Sequence, residues 1–127
     1  MRNKFLNTGQ PGFHPLKKIS VVLRGLRFAV VTDFSVAYKL VLSLLMLIAC
    51  IAFRDWIDVA AVLIATALML ISEIFNTAIE ALCDFVEARD NQRIGMIKDI
   101  AAAGVGLSIL LWLVVLIGEA YAVMRNL

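Results

Sequence analysis

Charge is scarce in this chain and nearly absent from three long stretches. Charged residues make up 17% of the 127 positions, against about a quarter in a soluble domain. Apolar residues reach 62% and the mean hydropathy is +0.92, where soluble domains hold about 45–50% apolar residues. These values exclude an ordinary soluble fold and predict an integral membrane protein. Cysteine is almost lacking. Cys50 and Cys83 both fall in apolar stretches, so no disulfide framework is expected, and no CxxC or Cys/His cluster offers a zinc site. Histidine occurs once, as His14. No GxxxxGK[ST] loop is present, so Gly104-x-Gly106 is not a nucleotide-binding turn. Residues 1–18 are polar and basic without an apolar core, and no cleavable signal peptide is expected. There is no internal repeat. A net charge of +2 gives no ground for a nucleic-acid partner. The length fits one domain over residues 1–127.

The remaining charges are placed in a pattern. Residues 1–13 read as an irregular tail. From His14 to Val31 the spacing predicts an amphipathic helix, opened by Pro15 in its first turn. Leu16, Ile19, Val22, Leu23, Leu26 and Val30 take one stripe, and Lys17, Ser20, Arg24 and Arg27 take the other. A short basic amphipathic helix suits the membrane interface or packing on its own protein. Thr32 or Asp33 is placed to cap the next helix.

Three membrane spans are predicted, at 35–53, 58–86 and 100–124. Lys39, near the start of the first, is expected to snorkel to the headgroups. Trp56, in the short connection after it, fits an interfacial belt. The second span is too long for a hydrocarbon layer of about 30 Å, so one end must emerge. Residues 87–99 read as a polar loop turning at Gly95. In the third span Ala101, Ala102, Ala103, Gly104, Gly106 and Ser108 are small enough for close helix approach; Trp112 reads as a span residue and Glu119 is the only charge. Basic residues concentrate before the first span and in 87–99. The positive-inside rule therefore puts both on the cytoplasmic side.

The second span holds the costly feature. Val59 to Ile71 carries no charge, and then come Glu73, Asn76, Thr77, Glu80 and Asp84. At 3.6 residues per turn these share one stripe. A charge in hydrocarbon costs about 2.5–3.5 kcal/mol on insertion scales, so the stripe should face protein or a water-filled cleft. Glu73 and Glu80 are about 10 Å apart along the axis, too far for one metal ion at about 2.1 Å from its ligands. They should do different work. Glu73 lies deeper, in a setting that suits a general base. Asn76 and Glu80, one turn apart, fit a cation with a phosphate ligand. Lys98 fits an anionic group, Asp99 a cation or a neighbour to orient, and Asp33 stands at the level expected for Glu80. Arg27, Lys39, Ser72 and Asp84 complete the candidate set. From the residues alone, phosphoryl transfer and cation- or proton-coupled transport both fit.

The run Glu73-Ile-Phe-Asn-Thr-Ala-Ile-Glu80-Ala-Leu-Cys-Asp84, followed by Lys98-Asp99-Ile-Ala-Ala-Ala-Gly-Val105, resembles the bacterial integral-membrane diacylglycerol kinase family. The family pattern is E-x-x-N-[ST]-A-I-E-x-x-x-D followed by K-D, and the likeness covers residues 13–124. It implies an all-α fold: an N-terminal surface helix plus three transmembrane helices, assembled as a homotrimer in the bacterial cytoplasmic membrane. It implies Mg²⁺- and ATP-dependent phosphorylation of a lipid alcohol, diacylglycerol to phosphatidic acid or undecaprenol to its monophosphate. Carried over by position, Glu73 is the catalytic base, Asn76 lies near the transferred phosphate, Glu80 and Asp33 hold magnesium, and Lys98 and Asp99 contact the nucleotide. Three positions depart from the pattern. Asp33 stands where Glu is usual, Lys39 stands where a second acid is often found, and His14 and Pro15 stand where a basic residue is expected. The charge reversal at Lys39 also leaves room for an assembly partner without turnover.

Overall fold

A computed structural model describes residues 12–127; the first eleven residues of the expected tail lie outside them. The described chain contains four helices, α1 (Pro15–Thr32), α2 (Phe34–Phe53), α3 (Trp56–Val86) and α4 (Gln92–Asn126). α2, α3 and α4 are each long and apolar enough to cross a membrane.

Each break has a local cause. Gly12 takes a positive φ of 109° ahead of α1, a conformation open to glycine. Pro15 then occupies the first turn of α1, where its missing N–H costs nothing. α1 ends when Asp33 turns extended. The Asp33 carboxylate accepts from the Ser35 backbone N–H at 2.8 Å, while the Thr32 hydroxyl donates to the Phe28 carbonyl at 2.6 Å within α1. Of the two candidate caps, Asp33 therefore takes the role. Arg54 and Asp55 alone separate α2 from α3, which begins at Trp56, two residues before the expected start.

The polar loop expected over 87–99 is mostly helix. α4 begins at Gln92 because the Asn91 side chain caps it, accepting from the Arg93 and Ile94 N–H groups at 3.0 and 3.5 Å. Gly95 donates its N–H to the Asn91 carbonyl at 2.9 Å and lies in the first turns of α4 rather than at a bend. A lone glycine costs a helix only about 1 kcal/mol, less than such a cap and the following turns return. The linker is thus 87–91. Within it Arg89 donates to Glu87 from its side chain and its backbone, which holds the Glu87 carboxyl below its usual range.

α3 has 31 residues and α4 has 35, about 46 and 52 Å at 1.5 Å per residue. Both exceed the hydrocarbon thickness of about 30 Å. α3 packs most extensively on α4, and α2 lies against both. Their shared core is Cys50, Val62, Ala65, Met69, Trp112 and Leu116. Most other large apolar side chains face outward, including Phe75, Phe85 and Ile117, as expected of helices bathed in lipid. α1 touches α2 and α3, and Ala29 is its one buried residue. The small residues of α4 do not close the bundle within one chain: a Cβ at Gly104 or Gly106 would meet nothing within 4 Å.

Candidate active site

The acidic stripe of α3 runs from the protein interior to the surface. Glu73 is 7% exposed, Asn76 and Thr77 are half-buried, and Glu80 and Asp84 are open. About 16 Å of helix separates Glu73 from Asp84. Three polar pairs occupy that length like rungs.

The deepest rung joins α2 to α3. Lys39 Nζ donates to Glu73 Oε1, with both side chains buried. The snorkelling expected of Lys39 does not occur: the side chain is 2% exposed. A carboxylate at the same depth offers the ammonium a partner, and two buried charges of opposite sign cost far less together than apart. The Lys39 carbonyl accepts from the Ser43 hydroxyl at 2.9 Å, and the Trp112 indole N–H donates to Ser43 at 2.8 Å. A buried polar chain thus links α4, α2 and α3 beside the carboxylate. Thr77 Oγ1 donates to the Glu73 carbonyl at 3.0 Å.

The middle rung lies within α3. Asn76 Nδ2 donates to Glu80 Oε1 at 2.8 Å. Asn76 Oδ1 is buried and has no hydrogen-bond partner. Next to a carboxylate, such an oxygen suits a hard cation, which takes oxygen ligands. The residues present therefore fit magnesium at the Asn76–Glu80 pair. Among the described residues, no group of three or more metal-binding side chains is gathered. Asp33 has one oxygen committed to capping α2, and among the described residues no hydrogen bond joins it to Glu80.

The outer rung pairs Lys98 Nζ with Asp84 Oδ1 at 2.5 Å across α4 and α3. Asp84, the outermost residue of the stripe, thus holds the lysine expected to meet an anion. Asp99 and Arg27 are exposed, on α4 and α1. Ser72 turns away from the stripe: its hydroxyl lies 2.5 Å from that of Ser108 and ties α3 to α4.

Beside the stripe, between α3 and α4, lies a groove of about 550 Å³. Ile71, Phe75, Ile79, Ile100 and Leu107 make it apolar, and Ser72, Asn76 and Ser108 are its polar members. Gly104 lies on its wall and keeps it open.

Sequence reasoning missed Ser43, Trp112 and Ser108. Two had a signal. Ser43 stands four residues after Lys39, on the same helix face. Trp112 stands in the middle of a span, away from the interface where an indole N–H finds water.

Compared with known protein families, residues 20–118 match prokaryotic diacylglycerol kinase. No curated protein and no solved structure matches the chain.

Proposed function

Because the chain belongs to the prokaryotic diacylglycerol kinase family, we propose that it is a membrane lipid kinase that transfers the ATP γ-phosphoryl group to a lipid hydroxyl. The first substrate we assign is diacylglycerol, giving phosphatidic acid, with undecaprenol as the alternative. The observation that carries this reading is the stripe itself: a buried carboxylate at Glu73, a cation-competent pair at Asn76 and Glu80 one to two turns above it, and a lysine at the outer end. The apolar groove reaching Asn76 supports a lipid tail there. A kinase family gives no support to the transporter reading.

In the reaction, the lipid hydroxyl oxygen attacks the γ-phosphorus. The bond from that phosphorus to the β–γ bridging oxygen breaks, and ADP leaves. The hydroxyl proton passes to the Glu73 carboxylate. Asn76 and Glu80, with Asp33, would hold magnesium, which spreads the charge developing on the phosphoryl oxygens. Lys98 and Asp99 would meet the nucleotide. We further assign a homotrimer, with α1 lying at the interface of the bacterial cytoplasmic membrane and the stripe opening to the cytoplasm. The concentration of basic residues before α2 and near the start of α4 supports that orientation.

The test is transfer of label from γ-labelled ATP by purified protein in lipid, with diacylglycerol and undecaprenol offered in parallel. Turnover is expected on at least one, dependent on magnesium. Glu73→Gln should abolish it while the protein still folds. Near-normal turnover by that variant would overturn the base assignment.

A further inference from the structure

The buried ion pair carries an inference beyond the family's chemistry. We propose that Lys39 is the positioning residue of the base: its ammonium group fixes Glu73 through Oε1 and leaves Oε2 to receive the substrate proton. The proposal rests on the kinase reading, since it assigns Lys39 its role through Glu73.

Geometry supports it in three ways. First, the contact is specific. Lys39 Nζ reaches Glu73 Oε1, and among the described residues no hydrogen bond reaches Oε2. One oxygen is held and the other is available. Second, the lysine is itself held. It is 2% exposed, its ammonium lies 5.9 Å from the centre of the Tyr38 ring, and its carbonyl is bonded by Ser43, which Trp112 bonds in turn. Third, burial makes the cation necessary. A carboxylate at this depth without a partner would be a lone charge away from water, far costlier than one paired with a cation. The charge at position 39 is therefore the partner that this burial requires.

The experiment uses the full-length protein in mixed lipid–detergent micelles, with steady-state kinetics for MgATP and for each lipid alcohol, and thermal unfolding beside them. Lys39→Met should lower kcat by about 100-fold, the loss typical of a misplaced reacting group, with both KM values within about threefold. Lys39→Gln keeps N–H donors without the charge and should fall between Lys39→Met and wild type; Lys39→Arg, which keeps the charge, should lie above Lys39→Gln. Lys39→Met should also melt at a lower temperature. Adding Glu73→Gln to it should restore the melting temperature but not the activity. That split separates positioning from a merely structural role, in which folded Lys39→Met would keep its kcat. A kcat within threefold of wild type for folded Lys39→Met, or above wild type, overturns the proposal; the latter would mark the pair as a mask on the base. If Lys39→Met does not fold, Lys39→Gln decides by the same limits. Wild-type turnover on neither lipid alcohol overturns the kinase reading itself, a failure distinct from normal turnover in the Lys39 variants.

Discussion

Lys98 Nζ and Asp84 Oδ1 meet at 2.5 Å, fourteen residues apart in sequence, across the outer end of α3 and α4. Asp84 is largely exposed, so the pair adds little to stability. Its effect falls on the site. If Lys98 meets the nucleotide as proposed, a phosphate must compete with Asp84 for it. Asp84→Asn removes that competitor and a repelling charge, and should lower KM for MgATP by about threefold with kcat within about twofold. Lys98→Met should raise the same KM by about tenfold, the worth of one charged hydrogen bond. Initial rates over an ATP series check both.

The next rung inward makes a prediction about metal. Asn76 holds Glu80 at 2.8 Å and keeps Oδ1 free of partners. If these oxygens receive magnesium, Glu80→Gln should raise the concentration needed for half-maximal rate by about tenfold or more and lower kcat by about 100-fold. Chelation should stop turnover of the wild type without changing its helix content. The checks are a magnesium titration at fixed ATP and circular dichroism with and without chelator. A normal magnesium response in Glu80→Gln would remove the residue from the metal shell.

The stripe was legible because helix period and the cost of buried charge act within one segment. From Glu73 to Asp84, sequence alone ranks the residues by depth, and the exposure along α3 follows that order. The three spans were legible for the same reason. Lys39 was not, because its burial depends on which residue of another helix stands at its level. An intrinsic tendency to snorkel says nothing of a carboxylate thirty-four positions away. The start of α4 was missed on a different balance. Gly95 and a run of polar residues suggest a loop, but one cap at Asn91 outweighs them.

Away from the stripe, the connection between α2 and α3 is fastened by charge. Arg54 Nη2 lies 3.0 Å from Asp58 Oδ2, and its Nε lies 3.6 Å from Glu119 Oε2. Glu119, the one charge in the apolar part of α4, thus pins that helix to the turn. All three side chains are partly buried. Glu119→Gln should cost at most about 1 kcal/mol of unfolding free energy, as for a partly exposed ion pair without a hydrogen bond, and leave kcat and both KM values within about twofold. Thermal unfolding in micelles together with initial rates tests this. A large loss of turnover at full stability would show that this end takes part in the reaction.

Trp112 and Ser43 are far apart in sequence and 2.8 Å apart in space. Trp112 is 3% exposed and Ser43 is 1% exposed, so neither polar atom can turn to water. Ser43→Ala leaves the indole N–H without its acceptor, and Trp112→Phe leaves the hydroxyl without that donor. An unmet buried polar group costs about 1–3 kcal/mol. Trp112→Phe also loses apolar volume, so it should destabilise more than Ser43→Ala. The double variant should destabilise less than the sum of the two, by about 1 kcal/mol, because residues sharing one bond do not act independently. Intramembrane hydrogen bonds average about 0.6 kcal/mol in such cycles, which sets the lower bound. The consequence for the site is directional. Ser43 holds the carbonyl of Lys39, so Ser43→Ala should loosen the lysine and lower kcat by a smaller factor than Lys39→Gln. Wild-type stability in all three variants would mean that the chain from Trp112 to Lys39 does not tie the helices together.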